Sequence, residues 1–442
     1  MLFTFWQTAS SQVTTSSMSG NVSDAGGAMP GTTVMVTHVP TGTQTGTITD
    51  SKGNFNLQSM RPGGPYKVTF SFIGYKTVEY QDVTLLLSDM LVLNVHMEED
   101  SRQLNEVIVI GSAEVTNMSS SRAGAITHIS TEDIASMPTV SRSINDLMRL
   151  TPQAYRQGAN GPAIGGGHYR QNFITVDGAA FNNAFGIGQN LPGGGSPISI
   201  DALDQISINL TPYDVRQSGF IGAAVNAVTK SGTNEFKGSA YTYMTDDRLR
   251  GNKVEDDYFS HPPSKYNIYG FTLGGPIIKD KLFFFVNYET EKTVAPGPLR
   301  VASETGQSNT NLNIARPKAS EMEEISKYLR DTYGYETGPY QGYSFDSPGQ
   351  KFLARIDWNI NNDHKLNVRY SYMDSKTPFL PSTSTRFSPP AGGNRQSMSA
   401  MWFQNSGYFQ EQNFTSLSGE LNSRFLDGKL NNTLRVTYSY QD

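Results

Sequence analysis

Apolar and polar residues alternate with a period of two over much of the second half of the chain. The alternation is clearest in residues 352–360, 365–373, 417–425 and 434–441, where one set of positions is apolar and aromatic and the other is charged or polar. This pattern predicts β-strands whose two faces lie in different environments. Because several Arg, Asp and Glu residues share one face, a water-filled barrel lumen fits better than a solvated sheet, although a soluble sandwich can show the same alternation.

The spacing of these strands supports the barrel interpretation. Strands are predicted near residues 236–246, 266–278, 282–290, 350–360, 364–374, 413–425 and 429–441. Short connections alternate with long ones: 279–281, 361–363 and 426–428 are short, whereas 247–265, 291–349 and 375–412 are long. Short turns at one end and long loops at the other are typical of membrane barrels. Within the longest loop, residues 321–333 are predicted to form a short helix.

The first part of the chain has a different pattern. Residues 19–98 contain short apolar runs separated by turn sequences, which predicts a small β-sandwich. Residues 50–55 have the composition of a tight hairpin turn in which Gly53 takes a positive φ. Residues 1–18 are interpreted as the remnant of a signal peptide or a disordered start, because they lack a basic segment and most of an apolar core.

The middle segment, residues 115–233, mixes predicted helices and strands. Thr131 is followed by two acidic residues, which predicts a helix with Thr131 as its N-cap. Residues 144–150 predict a helix that stops before Pro152. Residues 173–176 and 206–208 are predicted strands. The segment ends in a run of small residues, which suits a unit whose backbone packs closely inside a lumen.

A short apolar run, residues 105–111, lies just before this middle segment and has an acidic start. It predicts a strand of a few residues. Since an unpaired strand recruits another strand, one interpretation is a segment offered to a partner protein for strand addition. The alternative is an ordinary buried strand.

Composition narrows the function classes. The 442 residues include 42 Gly, 22 Tyr and 23 Phe, with only 17% charged residues, which indicates a β-rich protein. The net charge of −5 and the lack of a Lys/Arg cluster argue against nucleic-acid binding. There is no cysteine, which excludes disulfides and thiolate metal sites. No apolar run reaches the length of a transmembrane helix.

No arrangement of residues in the sequence indicates a catalytic or cofactor site. The six histidines are far apart and form no metal-binding motif. Residues 165–167 and 193–195 are triple-glycine runs, but neither has the Lys-Ser/Thr of a phosphate-binding loop. We therefore expect no enzyme activity, no cofactor and no metal.

Several of these segments resemble parts of one family, the TonB-dependent outer-membrane receptors of the Oar-like or SusC-like type. The matching sequences are Phe173 to Gly178, Gly222 to Gly232 and Thr272 to Phe285, with 105–111 similar to a TonB box. Residues 19–98, through Asp50 to Phe55 and Phe72 to Lys76, resemble a carboxypeptidase-regulatory-like domain.

The resemblance implies a mainly β fold of several parts. They are residual signal peptide 1–18, a transthyretin-like β-sandwich 19–98, a linker with the TonB box 99–114, an α+β plug domain 115–233, and the first seven or so strands of a barrel in 234–442. Barrels of this kind have about 22 strands, and an odd number leaves an open edge in lipid. We therefore expect the chain to be a fragment with an incomplete barrel.

The resemblance also implies a function and partners. The protein would be an outer-membrane importer of a glycan, peptide or metal chelate, or alternatively a surface receptor or adhesin without transport. A peptidase with a regulatory domain is disfavoured, since metal-ligand and nucleophile spacings are lacking. Expected partners are TonB and outer-membrane lipids, with a surface lipoprotein lid left open and no nucleic acid.

The resemblance places two sites on the sequence. The coupling segment, which TonB would bind by strand pairing, is Glu106, Val107, Ile108, Val109 and Ile110. Ligand-binding residues at the plug apex would be Tyr169, Arg170, Asn172, Phe181, Asn182 and Asn183. The apex residues mix aromatic and hydrogen-bonding groups, and packing of the lumen is an equal alternative for them.

Overall fold

A computed structural model describes most of the chain. The described residues are 13–100, 107–110, 124–137, 139, 142–156, 161–185, 190–212, 217–258, 262–381, 397–426, 428 and 430–442. Three β-rich units follow one another, and the mainly β fold class is confirmed.

The N-terminal unit is a sandwich of two sheets, as predicted. Its strands are β1 (Ser16–Asp24), β2 (Gly27–Ala28), β3 (Thr33–His38), β4 (Thr43–Ile48), β5 (Asn54–Met60), β6 (Gly63–Ser71), β7 (Thr77–Leu85), β8 (Met90–Val92) and β9 (Val95–His96). One sheet has the order β2-β1-β5, with β8 and β9 also pairing with β1; the other contains β7-β6-β3-β4. Alternate residues of both sheets, such as Met18, Leu57 and Phe70, form the buried core between them.

Two details of this unit differ from expectation. The turn before β5 does contain Gly53 with φ of 75°, and Asp50 caps it by accepting from the amides of Lys52 and Asn54. However, β4 and β5 lie in different sheets, so the turn connects the two layers and is not a hairpin. In addition, β1 begins at Ser16, inside the segment 1–18 that was expected to precede the domain. Met18 of this strand is fully buried in the core of the sandwich, so the end of that segment belongs to the domain.

The middle unit, which we call the plug, is α+β. Its elements are β11 (Ile126–Ile129), α1 (Thr131–Ser136), α2 (Ile144–Met148), β12 (Ala154–Arg156), β13 (Pro162–Ile164), β14 (Phe173–Val176), β15 (Ala179–Ala180), α3 (Pro192–Gly195), β16 (Leu203–Asn209) and β17 (Ala224–Thr229). The main sheet has the order β11-β16-β17-β14-β15. The N-cap of α1 is Ser130 and not Thr131, because Ser130 and Asp133 form a reciprocal capping box. Helix α2 ends before Pro152, as predicted.

The third unit is a single curved sheet of long strands, which we call the wall. These strands are β18 (Lys237–Asp246), β21 (Lys265–Ile278), β22 (Leu282–Pro296), β25 (Ser344–Asn359), β26 (His364–Phe379), β28 (Phe414–Phe425) and β29 (Leu430–Gln441). Each pairs antiparallel with the next. All seven predicted strands are present. Strands β22, β25 and β26 are longer than predicted because their pairing continues past the alternating region into the long loops.

The long connections contain small elements of their own. They are β19 (Lys253–Val254), β20 (Asp257–Tyr258), β23 (Val301–Ser303), β24 (Ile314–Lys318), α4 (Ala319–Tyr333) and β27 (Tyr408–Glu411). Helix α4 confirms the predicted helix at 321–333. Within this helix, Met322 is buried whereas Ile325 is 48% exposed.

The two faces of the wall differ as the alternation predicted. Apolar and aromatic side chains such as Phe271, Trp358 and Tyr438 are exposed on one face. Charged and polar side chains such as Glu289, Arg355 and Glu420 are buried on the other face, the first two in contact with the plug. Among the described residues, no helix has the length and hydropathy needed to cross a membrane.

Candidate functional site

The turn after β14 contacts the wall through buried polar and charged side chains. Asp177 has φ of 52° and a buried carboxylate, which accepts hydrogen bonds from the amide and hydroxyl of Thr229 at 3.0 and 2.7 Å. Wall residues Arg355 and Arg369 place guanidinium nitrogens 3.8 and 3.5 Å from its Oδ1. Both arginines also donate to plug carbonyls, Arg355 to Thr229 at 2.6 Å and Arg369 to Asp177 at 2.9 Å. Asp357 balances Arg355 through two bonds of 2.8 Å.

A second polar junction lies against the wall near α3. Lys351 donates to Glu289, to Glu291 and to the plug hydroxyl of Ser196, each at 2.9 Å. Ser199 of the plug donates to the other oxygen of Glu289 at 2.7 Å. Lys351 and Glu289 are 3% and 2% exposed, so the pair is removed from water.

These junctions explain the charge on the inner face of the wall. A buried ion is tolerated only when it is paired and hydrogen-bonded. Arg355 and Lys351 have carboxylate partners on the wall itself, and serine, threonine and aspartate groups of the plug complete their contacts and those of Arg369. The plug is therefore held by directional polar contacts as well as by apolar packing against wall residues such as Phe414.

The six predicted apex residues lie close together, but the structure uses several of them internally. Asn172 donates to the carbonyl of Pro162 at 2.9 Å and accepts from the amide of Ala223 at 3.2 Å. Asn182 accepts from the amide of Ile174 at 2.8 Å and donates to the carbonyl of Asn172 at 2.8 Å. Both side chains thus bridge segments of the plug.

Aromatic apex residues are also largely enclosed. Phe181 is 1% exposed and packs on Phe414 of the wall, with ring centroids 4.3 Å apart. Tyr169 is 7% exposed and its hydroxyl accepts from Arg170 Nε at 3.1 Å. Asn183 is 8% exposed, and its side chain accepts from the amide of Phe185 at 3.0 Å.

Two neighbouring side chains that the sequence did not single out are accessible. Phe185 is 53% exposed, and His168 is exposed at the start of the turn that carries Tyr169. They lie in loops without periodicity, so no sequence pattern marks them. Their exposure beside the enclosed residues makes them the accessible part of the apex.

In the long loops between wall strands, an arginine packs against a tryptophan. The Arg300 guanidinium lies 5.3 Å from the ring centroid of Trp402, and Arg300 donates to the carbonyls of Ser397 and Ala400. Arg300 and Trp402 line a small pocket together with Pro298, Tyr340 and Met401. Such aromatic and cationic surfaces suit polar ligands with apolar faces.

The described part of the coupling segment is β10 (Val107–Ile110), and it is already paired. It lies parallel to β7 at the edge of the N-terminal sheet, in register from Val107 beside Thr77 to Ile110 beside Tyr80. The sequence predicted a strand here but not its partner within the chain. Glu106 lies outside the described residues.

The N-terminal sandwich contacts both the plug and the short-turn end of the wall. Gln205 of the plug accepts from the amide of Leu87 at 2.9 Å and donates to the carbonyl of Leu85 at 3.3 Å. Asn359 of β25 donates to Thr43 at 2.8 Å. The sandwich, the plug and the wall enclose a cavity between them.

His38 lies at the edge of this cavity and is 6% exposed. Its Nδ1 is 2.7 Å from the hydroxyl of Thr41, and its ring lies 4.8 Å from that of Tyr66. Desolvation, with a smaller contribution from the positive charge of Arg61, lowers the pKa of His38 to about 3. The imidazole is therefore neutral in the folded protein at ordinary pH.

Within the described residues, no group of three or more His, Asp and Glu side chains is arranged to hold a metal ion.

Two family models match the chain. The outer membrane beta barrel domain matches residues 228–440, and the carboxypeptidase regulatory-like domain matches residues 17–98. The chain thus contains an outer membrane beta barrel domain, which indicates the outer membrane as its location, and an N-terminal carboxypeptidase regulatory-like domain. It is a homologue of TonB-dependent transporters, which confirms the resemblance seen in the sequence.

The TonB-dependent transporter Oar of Myxococcus xanthus is 27% identical over 400 residues, covering 86% of this chain and 35% of Oar. The chain therefore spans about a third of the length of that relative. The outer membrane transporter YddB of Escherichia coli is 15% identical, with a TM-score of 0.48 over 72% of this chain and 38% of that one. The siderophore receptor PirA of Pseudomonas aeruginosa is 14% identical, with a TM-score of 0.43 over 72% of this chain and 41% of that one. These relatives are transporters and receptors, not enzymes.

Proposed function

We propose that the protein is an energy-coupled importer of the outer membrane. A ligand binds to the long loops and the plug apex, TonB pairs with the coupling segment, and the pull rearranges the plug. The observation that carries this proposal is the arrangement of a small α+β unit against the buried, charged face of a barrel wall, with a short strand just ahead of it. The short turns, and with them the N-terminal sandwich, face the periplasm.

The polar attachment of the plug supports this mechanism. Contacts such as those between Asp177 and the wall arginines depend on distance and on exclusion of water. A displacement of a few ångströms admits water, which then solvates the separated charges. Force on the segment ahead of the plug is therefore able to shift the plug without disrupting the wall.

We further propose that the ligand touches the accessible apex, namely Phe185 and His168, and the loop group around Trp402. A glycan, a peptide and a metal chelate remain the candidate ligand classes. The enclosed residues Asn172 and Phe181 would act by shaping this surface.

Uptake experiments test the proposal in cells that produce the native protein. Fluorescent glycans, peptides and metal chelates are screened for binding and for uptake that requires the proton-motive force. Val109→Pro removes a backbone amide from the coupling segment and should abolish uptake while surface binding persists, whereas Val109→Ala should leave both intact.

Uptake by the proline variant at the rate of the unaltered protein would refute the energy-coupled mechanism. Binding of a ligand without any energy-dependent uptake would instead favour the alternative of a surface receptor or adhesin.

A further inference from the structure

The edge of the N-terminal sandwich formed by β7 is occupied by two segments that follow the domain. Residues 98–100 run antiparallel beside residues 74–76, where Tyr75 forms a β-bridge with Glu99 and the amide of Lys76 donates to the backbone carbonyl of Glu98 at 2.9 Å. Strand β10 then covers the next four positions of β7 in parallel. The domain thus has an edge that accepts strands from its own chain.

The pairing leaves β10 as the terminal strand of its sheet. The order is β10-β7-β6-β3-β4, and among the described residues β10 pairs with no strand besides β7. In a strand, successive backbone groups point to opposite edges, so pairing with β7 uses only one edge of β10. The other edge is available to a further strand.

We propose that the N-terminal sandwich presents the coupling segment to TonB as a preformed edge strand, and that the strand of TonB adds to the outer edge of β10 while β7 holds the inner edge. This inference rests on the proposed function, because it takes TonB as the partner. It assigns to the N-terminal domain a role in partner binding.

Preordering has a measurable consequence. A free peptide must give up its conformational freedom on binding, whereas β10 is already extended in the folded chain. The full chain should therefore bind the C-terminal domain of TonB about tenfold or more tightly than a synthetic peptide of residues 105–111. If β7 and TonB competed for the same edge, the order would be reversed and the peptide would bind more tightly.

A disulfide provides the sharper experiment, since the chain has no cysteine of its own. Val109 and Glu79 are register partners in β10 and β7, at a spacing that a disulfide can bridge. The double variant Val109→Cys with Glu79→Cys should oxidise within the chain. Glu79 pairs with Lys67 at the surface, a contact whose loss costs little. The control pair Val109→Cys with Asn56→Cys, on the opposite sheet, should not form an intramolecular disulfide.

Binding of TonB to the full chain is then measured with and without reductant. We expect the oxidised Val109–Glu79 pair to bind TonB within about threefold of the reduced protein, because the outer edge stays available. Loss of binding on oxidation, or failure of the disulfide to form, would overturn the inference. If the disulfide forms but the unaltered chain does not bind TonB, the proposed function fails and presentation to TonB fails with it, while the pairing of β10 with β7 stands.

Discussion

Neutralising Asp177 should loosen the plug from the wall. The substitution Asp177→Asn keeps the size of the side chain and an oxygen that can accept from the amide of Thr229. It removes the charge that faces Arg355 and Arg369 in a buried site. The perturbation therefore acts on the electrostatic contact and leaves the packing of the turn nearly unchanged.

The size of the effect follows from the partners that remain. Removing one member of a buried ion pair costs about 3–5 kcal/mol when the other charge is left uncompensated. Arg355 keeps its two bonds to Asp357, so only Arg369 loses its nearest carboxylate. We therefore expect the lower end of the range, about 3 kcal/mol, or roughly a hundredfold in the equilibrium for opening the plug.

Hydrogen exchange of the full chain in detergent micelles measures this equilibrium. Amides of β14 and β17 should exchange roughly a hundredfold faster in Asp177→Asn, provided that closing is faster than exchange. The matched control is Asp357→Asn, which neutralises a carboxylate beside the same Arg355 but on the wall itself. It should change exchange in the plug by less than about threefold. Unchanged exchange in Asp177→Asn, or an equal effect of both variants, would refute the reasoning.

Three further outcomes are expected. The pKa of His38 is lowered to about 3 in the folded protein, so only the unfolded chain takes up this proton as the pH falls below about 6.5. The free energy of unfolding of the sandwich should therefore fall by about 3 kcal/mol between pH 7 and pH 4. In His38→Gln that part of the pH dependence should be absent, which the midpoint of urea unfolding at the two pH values measures. Asn172→Ala leaves the carbonyl of Pro162 and the amide of Ala223 without their partner and should destabilise the plug by about 2–4 kcal/mol in the same exchange assay. Gly178→Ala adds a Cβ atom to a residue whose φ is 80°, and this atom lies 2.6 Å from a guanidinium nitrogen of β29. The variant should speed hydrogen exchange of the plug amides by about tenfold, whereas the control Ala180→Gly should leave it unchanged.

Much of the fold was predictable because each unit has a local signal. All seven wall strands were predicted, four of them from clear period-two alternation, which arises because the two faces of the wall meet different environments. Turn residues predicted the positive φ at Gly53. The hairpin prediction was wrong because a turn sequence does not reveal whether the next strand pairs with the previous one or crosses to the other sheet.

The site was less predictable, because its contacts join residues far apart in the sequence. Asp177 was visible as part of a strand-and-turn motif, but its approach to Arg355 and Arg369 depends on how the plug sits in the wall. The pairing of β10 with β7 is parallel, and no pattern in the sequence of either strand indicates its partner. Phe181 is enclosed by Phe414 of the wall, whereas Phe185, only four residues away, is exposed, and nothing local in the sequence separates the two.

The kind of contact between the plug and the wall determines how the free energy of the interface changes when the plug is displaced. An apolar interface weakens in proportion to the area exposed and leaves a surface that water does not wet. A few buried ion pairs behave differently, since each is strong at contact and is readily replaced by hydration once it separates. The contacts of Arg355 and Arg369 with Asp177 are of the second kind, and they lie beside apolar contacts such as that of Phe181 with Phe414. Separating such contacts therefore costs free energy only over the short distance in which water is still excluded.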